Sequence, residues 1–145
     1  MSVSLLYHDT IKQHASKPTG ENSQFCSTHG SEGYNPSCGD EINMYVELSE
    51  SGQIRNIGFT ADACAICKAS ASLLCEHSNG QTVPQVQKTF THIKQALNNQ
   101  SSIEYDSLSS LSAVANHKSR INCALLPWQT LLNIDSNFAS DTKPN

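Results

Sequence analysis

Six cysteines, at positions 26, 38, 64, 67, 75 and 123, are the residues of this 145-residue chain with the most chemistry to offer. Three share a distinctive setting. Cys38 lies in Asn35-Pro36-Ser37-Cys38-Gly39-Asp40, a loop just ahead of a clear strand pattern. Cys64 falls where a hairpin pattern gives way to a helical one, and Cys123 where the last helix should begin. A helix N-terminus presents free N–H groups and positive potential, which favours thiolate over thiol and so metal binding or nucleophilic sulfur. Gly39 permits a backbone conformation closed to other residues, so that Cys38 and Asp40 can turn toward one point. Three sulfurs and one carboxylate satisfy a tetrahedral ion, and the oxygen is easier to displace than a fourth thiolate would be. The expected metal ligands are therefore Cys38, Asp40, Cys64 and Cys123, a set suited to exchange.

The elements that must position them can be read from periodicity. Leu5 to His14 suits a short amphipathic helix ended by Pro18 and Gly20. Residues 21–37 are polar and read as a loop with one weak strand around Phe25. Ile42, Met44, Val46 and Leu48 alternate with polar neighbours as in a half-buried strand, and Ile54 to Thr60 returns after a Ser49–Gly52 turn. Ala65 to Leu74 reads as a helix closed by Asn79-Gly80. Thr82 and Gln85 have capping-box spacing, and Val83, Val86, Phe90, Ile93 and Leu97 follow on one helical face. Leu108, Leu111 and Val114 keep helical spacing within the polar stretch Ser101 to His117. A last helix is expected from about Cys123 to Asn133, because Pro127 in a helix interior would cost about 3 kcal/mol. One apolar face on the 42–48 strand implies an α+β fold: a small antiparallel sheet of about three strands, with helices packed mainly on one face. A single domain over residues 1–135 is expected, with a flexible tail at 136–145.

Bulk properties narrow the function. A net charge of −4 and a sequence pI near 5.8 mark no nucleic-acid or anionic-membrane surface. No apolar run approaches the ~20 residues that span a bilayer, and the N-terminus lacks the pattern of a signal peptide. The expected location is the cytoplasm, where a reducing environment disfavours three disulfides and leaves metal or sulfur chemistry. The Cys64-x-x-Cys67 pair alone would suit a thioredoxin-like redox site, but the βαβ context is missing, so Cys67 is read as a reserve ligand or simply packed. Cys75 reads as a buried small hydrophobe and Cys26 as an exposed loop thiol. The six histidines read as structural or solvated, with His117 notable for standing six residues before Cys123. Trp128 is either core or a partner-facing anchor.

At these same residues the chain resembles the IscU/SufU/NifU-N-terminal family of iron–sulfur cluster assembly proteins. The family's Asn-Pro-x-Cys-Gly-Asp loop stands unbroken at 35–40. Its second cysteine precedes an Ala/Ser-rich helix, here Cys64 to Leu74, and its third follows a basic residue, here Arg120-Ile-Asn-Cys123. Ile11, His14 and Pro18 echo the family's opening pattern, so the resemblance runs from about Leu5 to Leu132. The chaperone-docking Leu-Pro-Pro-Val-Lys segment of the IscU branch, and its His before the third cysteine, are absent from 116–122. A longer span between Cys64 and Cys123, together with Arg120, makes the chain more similar to the SufU-like branch.

The resemblance implies a scaffold or sulfur acceptor that binds zinc or iron, or a transient iron–sulfur cluster, and passes it on. It implies two partners: a cysteine desulfurase of the SufS or IscS kind, and apo iron–sulfur acceptor proteins. Nucleic acid and membrane are not expected as partners. The alternative is a zinc-dependent sulfurtransferase, with Cys123 as candidate persulfide acceptor and Arg120 as its helper. A zinc-stabilised interaction module is the third reading, against which Asp40 counts, since structural zinc sites close with Cys or His.

Overall fold

The computed structural model describes residues 9–134. A short helix α1 (Asp9–Ser16) leads into strands β1 (His29–Asn35), β2 (Asp40–Leu48) and β3 (Ile54–Asp62). Helices α2 (Ala65–Ser78) and α3 (Val83–Asn99), a 3-10 segment (Asp106–Asn116) and helix α4 (Lys118–Leu132) follow. The expected residues 5–8 of the first helix and the expected tail at 136–145 lie outside the described residues.

The strands form one antiparallel sheet in the order β1-β2-β3. Along β2, Asp40, Ile42, Met44 and Val46 are buried while Glu41 and Asn43 are exposed, so the row that faces the helices begins with a carboxylate. Met44 lies opposite Phe59 and Val46 opposite Ile57, continuing the apolar face onto β3. Helix α4 packs across β1 and β2, α2 packs on α4 and β3, and α1 packs on α2. The α+β expectation holds. The capping box at Thr82 also forms, with Thr82 Oγ1 accepting from the Gln85 N–H and the Gln85 side chain from the Thr82 N–H. The stripe from Val83 to Leu97 is buried as its spacing predicts.

Helix α2 is buried on almost every side, which its Ala/Ser composition permits because small side chains allow close approach. Ser70 Oγ donates to the Ala124 carbonyl at 2.5 Å and accepts the Trp128 indole N–H at 3.1 Å, tying α2 to α4. Ser72 Oγ bonds His14 Nδ1 at 2.6 Å and accepts the Thr19 N–H at 2.7 Å, tying α2 to α1 and the chain after it. Trp128 is wholly buried, which assigns it to the core. A side chain of that size contributes about 1.5–3 kcal/mol or more by burial.

Two expectations are corrected. The strand expected around Phe25 lies instead at His29–Asn35, and the Phe25 ring sits outside it, 5.3 Å from the Tyr45 ring. This strand carries no apolar alternation because α4 presses directly on it. A Cβ at Gly33 would collide with Thr130 Oγ1 and come within 3.2 Å of Leu126 Cδ1, so the inward row is Ser31, Gly33 and Asn35. The last helix starts at Lys118, not near Cys123, with Pro127 in its interior. Burial of Ile121, Ala124, Leu125, Trp128 and Leu131 outweighs the proline penalty. Cys123 is thus a mid-helix residue, and the argument from a helix N-terminus does not apply to it.

Candidate metal centre

Asn35 and Asp40 face each other as the last pair of the β1–β2 ladder, and the four residues between them turn the chain. The turn is held by Asn35. Its carbonyl accepts the N–H groups of Cys38 at 3.3 Å and Gly39 at 2.8 Å, and its side-chain oxygen accepts the Ser37 N–H at 3.2 Å. An Asx-type contact of this kind mimics a backbone turn. Gly39 takes φ +72, open to glycine and strained for most other residues. Cys38 is left exposed at the tip, and Asp40, one residue past Gly39, is carried into the buried row.

The end of that row is where β3 hands over to α2. Asp40 Oδ1 accepts the Cys64 N–H at 2.8 Å, and the Cys64 Sγ lies 3.8 Å from Asp40 Oδ2. Cys64 is the N-cap of α2, and its sulfur accepts the Cys67 N–H at 3.4 Å. From the other side α4 delivers Cys123, whose Sγ is 3.1 Å from Cys38 Sγ and accepts from Asn35 Nδ2 at 3.6 Å. Cys38 Sγ approaches the Ser119 carbonyl at 4.0 Å, so the hairpin tip rests on the first turn of α4.

Cys38, Asp40 and Cys123 each offer a donor atom within 4.8 Å of the other two. Tetrahedral bonds of ~2.3 Å place donors about 3.7 Å apart, so modest adjustment lets one ion reach all three. Cys64 stands just outside this mutual set, touching it through Asp40. The donors suit the thiolate-binding metals, zinc and iron.

Burial is the main cause that pushes the Cys123 thiol above its ordinary range; hydrogen bonds with Cys38 and Asp40 and the charges of Cys64 and Asp40 add to it. The same order of causes, burial and then the charges of Asp40, Cys64 and Cys38, raises Cys67. A metal bound by these thiols would have to displace their protons, and its binding would be pH-dependent.

Arg120 is half-buried on α4, three residues before Cys123 and so on the same side of the helix. His117 is the N-cap residue of α4, and its Nε2 is buried without a hydrogen-bond partner among the described residues. Cys26 is exposed and Cys75 is buried late in α2, both apart from the group. The sequence reading gave Asn35 no separate role, yet it holds the turn and touches Cys123. Its position as the first residue of a Gly-containing turn was the available signal.

The model of the family described as NifU-like N terminal domain matches residues 6–124. The chain belongs to that family. It is 29% identical over 136 residues, 90% of the chain and 93% of the relative, to the iron-sulfur cluster assembly scaffold protein IscU of Thermotoga maritima. A crystal structure of a putative iron-sulfur cluster assembly scaffold protein for the SUF system, from Fervidobacterium islandicum, superposes with a TM-score of 0.75 at 25% identity. That match covers 90% of this chain and 96% of the other. The crystal structure of a NifU-like N-terminal protein from Brucella abortus gives a TM-score of 0.84 over 97% of this chain and 99% of the other. At 15% identity it speaks for the fold alone.

Proposed function

We propose that this protein is an iron–sulfur cluster assembly scaffold, which holds iron and sulfur, or a nascent cluster, through Cys38, Asp40, Cys64 and Cys123 and then releases it. The observation that carries this reading is the convergence of Cys38, Asp40 and Cys123 donors within 4.8 Å at a hairpin tip, with Cys64 beside Asp40. The family membership and the names of the Thermotoga and Fervidobacterium relatives support it. Asp40 is the displaceable ligand, since carboxylate binds a borderline metal less tightly than thiolate does.

The partners are a cysteine desulfurase and apo iron–sulfur acceptor proteins, met in the cytoplasm. Among the described residues no helix is long and apolar enough to cross a membrane. Cys38 is the exposed thiol and Cys123 the buried one, so a donor persulfide meets Cys38 first. The 3.1 Å gap then lets the Cys123 sulfur attack the sulfane sulfur, leaving Cys38 as thiol and Cys123 as persulfide. Arg120, on the Cys123 side of α4, supplies positive charge for the developing thiolates. This path also favours a second reading, a zinc-dependent sulfurtransferase in which the same thiols carry sulfur without building a cluster.

Anaerobic reconstitution with ferrous iron and sulfide tests the first reading. The expected result is a visible charge-transfer spectrum with matching iron and sulfide content, lost in Cys38→Ser, Cys64→Ser and Cys123→Ser and kept in Cys26→Ser. Tight zinc with no cluster under any reconstitution, combined with persulfide uptake, would transfer the assignment to the second reading.

A further inference from the structure

Cys67 is a thiol that this reading leaves unused. It is fully buried, its Sγ donates to no acceptor among the described residues, and it lies outside the mutual Cys38–Asp40–Cys123 set. Its position is nonetheless specific. Cys64 is the N-cap of α2 and Cys67 is its N3 residue, with the Cys67 N–H bonded to the Cys64 sulfur at 3.4 Å. Residues three apart across a helical turn have Cα atoms about 5 Å apart, inside the ~4.4–6.8 Å window a disulfide needs. Helical side chains lean toward the N-terminus, the end of α2 at which Cys64 stands. The two thiols also differ in access, Cys64 being half-buried and Cys67 enclosed. That is the arrangement of a thiol that receives and a thiol that resolves.

We propose that Cys67 is the resolving thiol of the site: it attacks a persulfide on Cys64 and expels the outer sulfur as sulfide beside Cys38, Asp40 and Cys123. The step rests on the scaffold reading, whose persulfide donor supplies the sulfur: the half-buried Cys64 thiol takes the outer sulfur from the Cys123 persulfide, which returns to a thiol. A bond forms between Cys67 Sγ and Cys64 Sγ as the bond from Cys64 Sγ to the sulfane sulfur breaks. The sulfane sulfur leaves with the electron pair and takes up the Cys67 proton, so that hydrogen sulfide departs. The sulfane sulfur is reduced by two electrons, and the two cysteine thiols are oxidised to a disulfide. Cluster assembly needs sulfur at this lower oxidation state, and the pair provides the electrons within the chain. A further turnover requires an external dithiol to reduce the Cys64–Cys67 disulfide.

The test treats the reduced, chelator-stripped full chain with glutathione persulfide and measures free sulfide, then maps cysteines by mass spectrometry after trypsin. Cleavage after Arg55 and Lys68 places both thiols in one peptide, residues 56–68. The expected wild-type result is sulfide approaching one equivalent per chain and a 56–68 peptide lighter by two hydrogens. In Cys67→Ser the peptide should instead be heavier by one sulfur atom, and sulfide release should fall about tenfold or more once the attacking thiol is gone. The wild-type map requires no variant to fold, and Cys67→Ala provides a second variant without a buried hydroxyl. A disulfide found only between Cys38 and Cys123, or wild-type sulfide release from Cys67→Ser, would overturn the proposal. Cluster reconstitution of Cys67→Ser, measured separately, shows whether the scaffold reading survives that outcome.

Discussion

Gly33→Ala should destabilise the domain by about 2–4 kcal/mol, through a single methyl group placed between β1 and α4. The added Cβ would collide with Thr130 Oγ1 while lying 3.0 Å from Thr130 Cβ and 3.2 Å from Leu126 Cδ1. Thr130 cannot swing away freely, because its hydroxyl donates to the Leu126 carbonyl at 2.7 Å. Overpacking of this kind costs about 1–3 kcal/mol, and loss of the buried hydrogen bond adds about 1 kcal/mol. Urea unfolding monitored by circular dichroism reads the change as a lower midpoint at unchanged slope. A double-mutant cycle locates the effect: Thr130→Ala removes the colliding oxygen, so Gly33→Ala in that background should cost about 1–2 kcal/mol less. If Gly33→Ala unfolded within about 0.5 kcal/mol of the parent, the size of an ordinary surface change, the direct seating of α4 on β1 would be wrong. The account of why β1 lacks an apolar row would fall with it.

Asn35→Ala removes both the turn contact to Ser37 and the donor to Cys123 Sγ, so metal affinity should drop about 10–100-fold, read by chelator competition. Iodoacetamide under native, metal-free conditions should label exposed Cys26 and Cys38 first. Cys75, whose thiol burial pushes up to about 12, should react only after unfolding, and early labelling there would contradict its packing under Gly20. Burial lowers the His77 pKa, so the unfolded chain takes up its proton first as pH falls. Stability present above the unfolded value of about 6.5 should decline below it by at most ~1.4 kcal/mol per pH unit, levelling off under the folded value. The decline should flatten in His77→Phe, and an identical pH profile in that variant would clear His77 of the effect.

The sequence made the site more legible than parts of the frame that carries it. Asn35 to Asp40 is local, so its turn chemistry could be read directly, and the Cys64 cap sits where hairpin and helix patterns meet. The start of α4 was misplaced because proline's local penalty is visible in sequence while the burial that overrides it is tertiary. Strand β1 was hidden for a related reason. Its inward positions are small or polar because a helix fills the space, so no period-two hydrophobic signal exists to be found. That Cys67 would be enclosed, with its N–H on the Cys64 sulfur, follows from the N-cap register of α2, which no residue spacing alone would fix.

The separation of the donors along the chain has a consequence for biosynthesis. Cys38 and Cys123 are 85 residues apart in sequence and 3.1 Å apart in space, whereas Asp40 and Cys64 are separated by 24 residues. A nascent chain emerging from the ribosome can complete the hairpin and the start of α2 long before α4 exists to close the site. Iron or zinc offered at that stage would meet an incomplete set of the proposed ligands. With the ligand set proposed above, retention would begin when α4 docks, and bound metal would then stabilise the native state by about 2.7 kcal/mol at a hundredfold excess over the dissociation constant. Occupancy of that proposed site would thereby report that translation and folding have both reached α4.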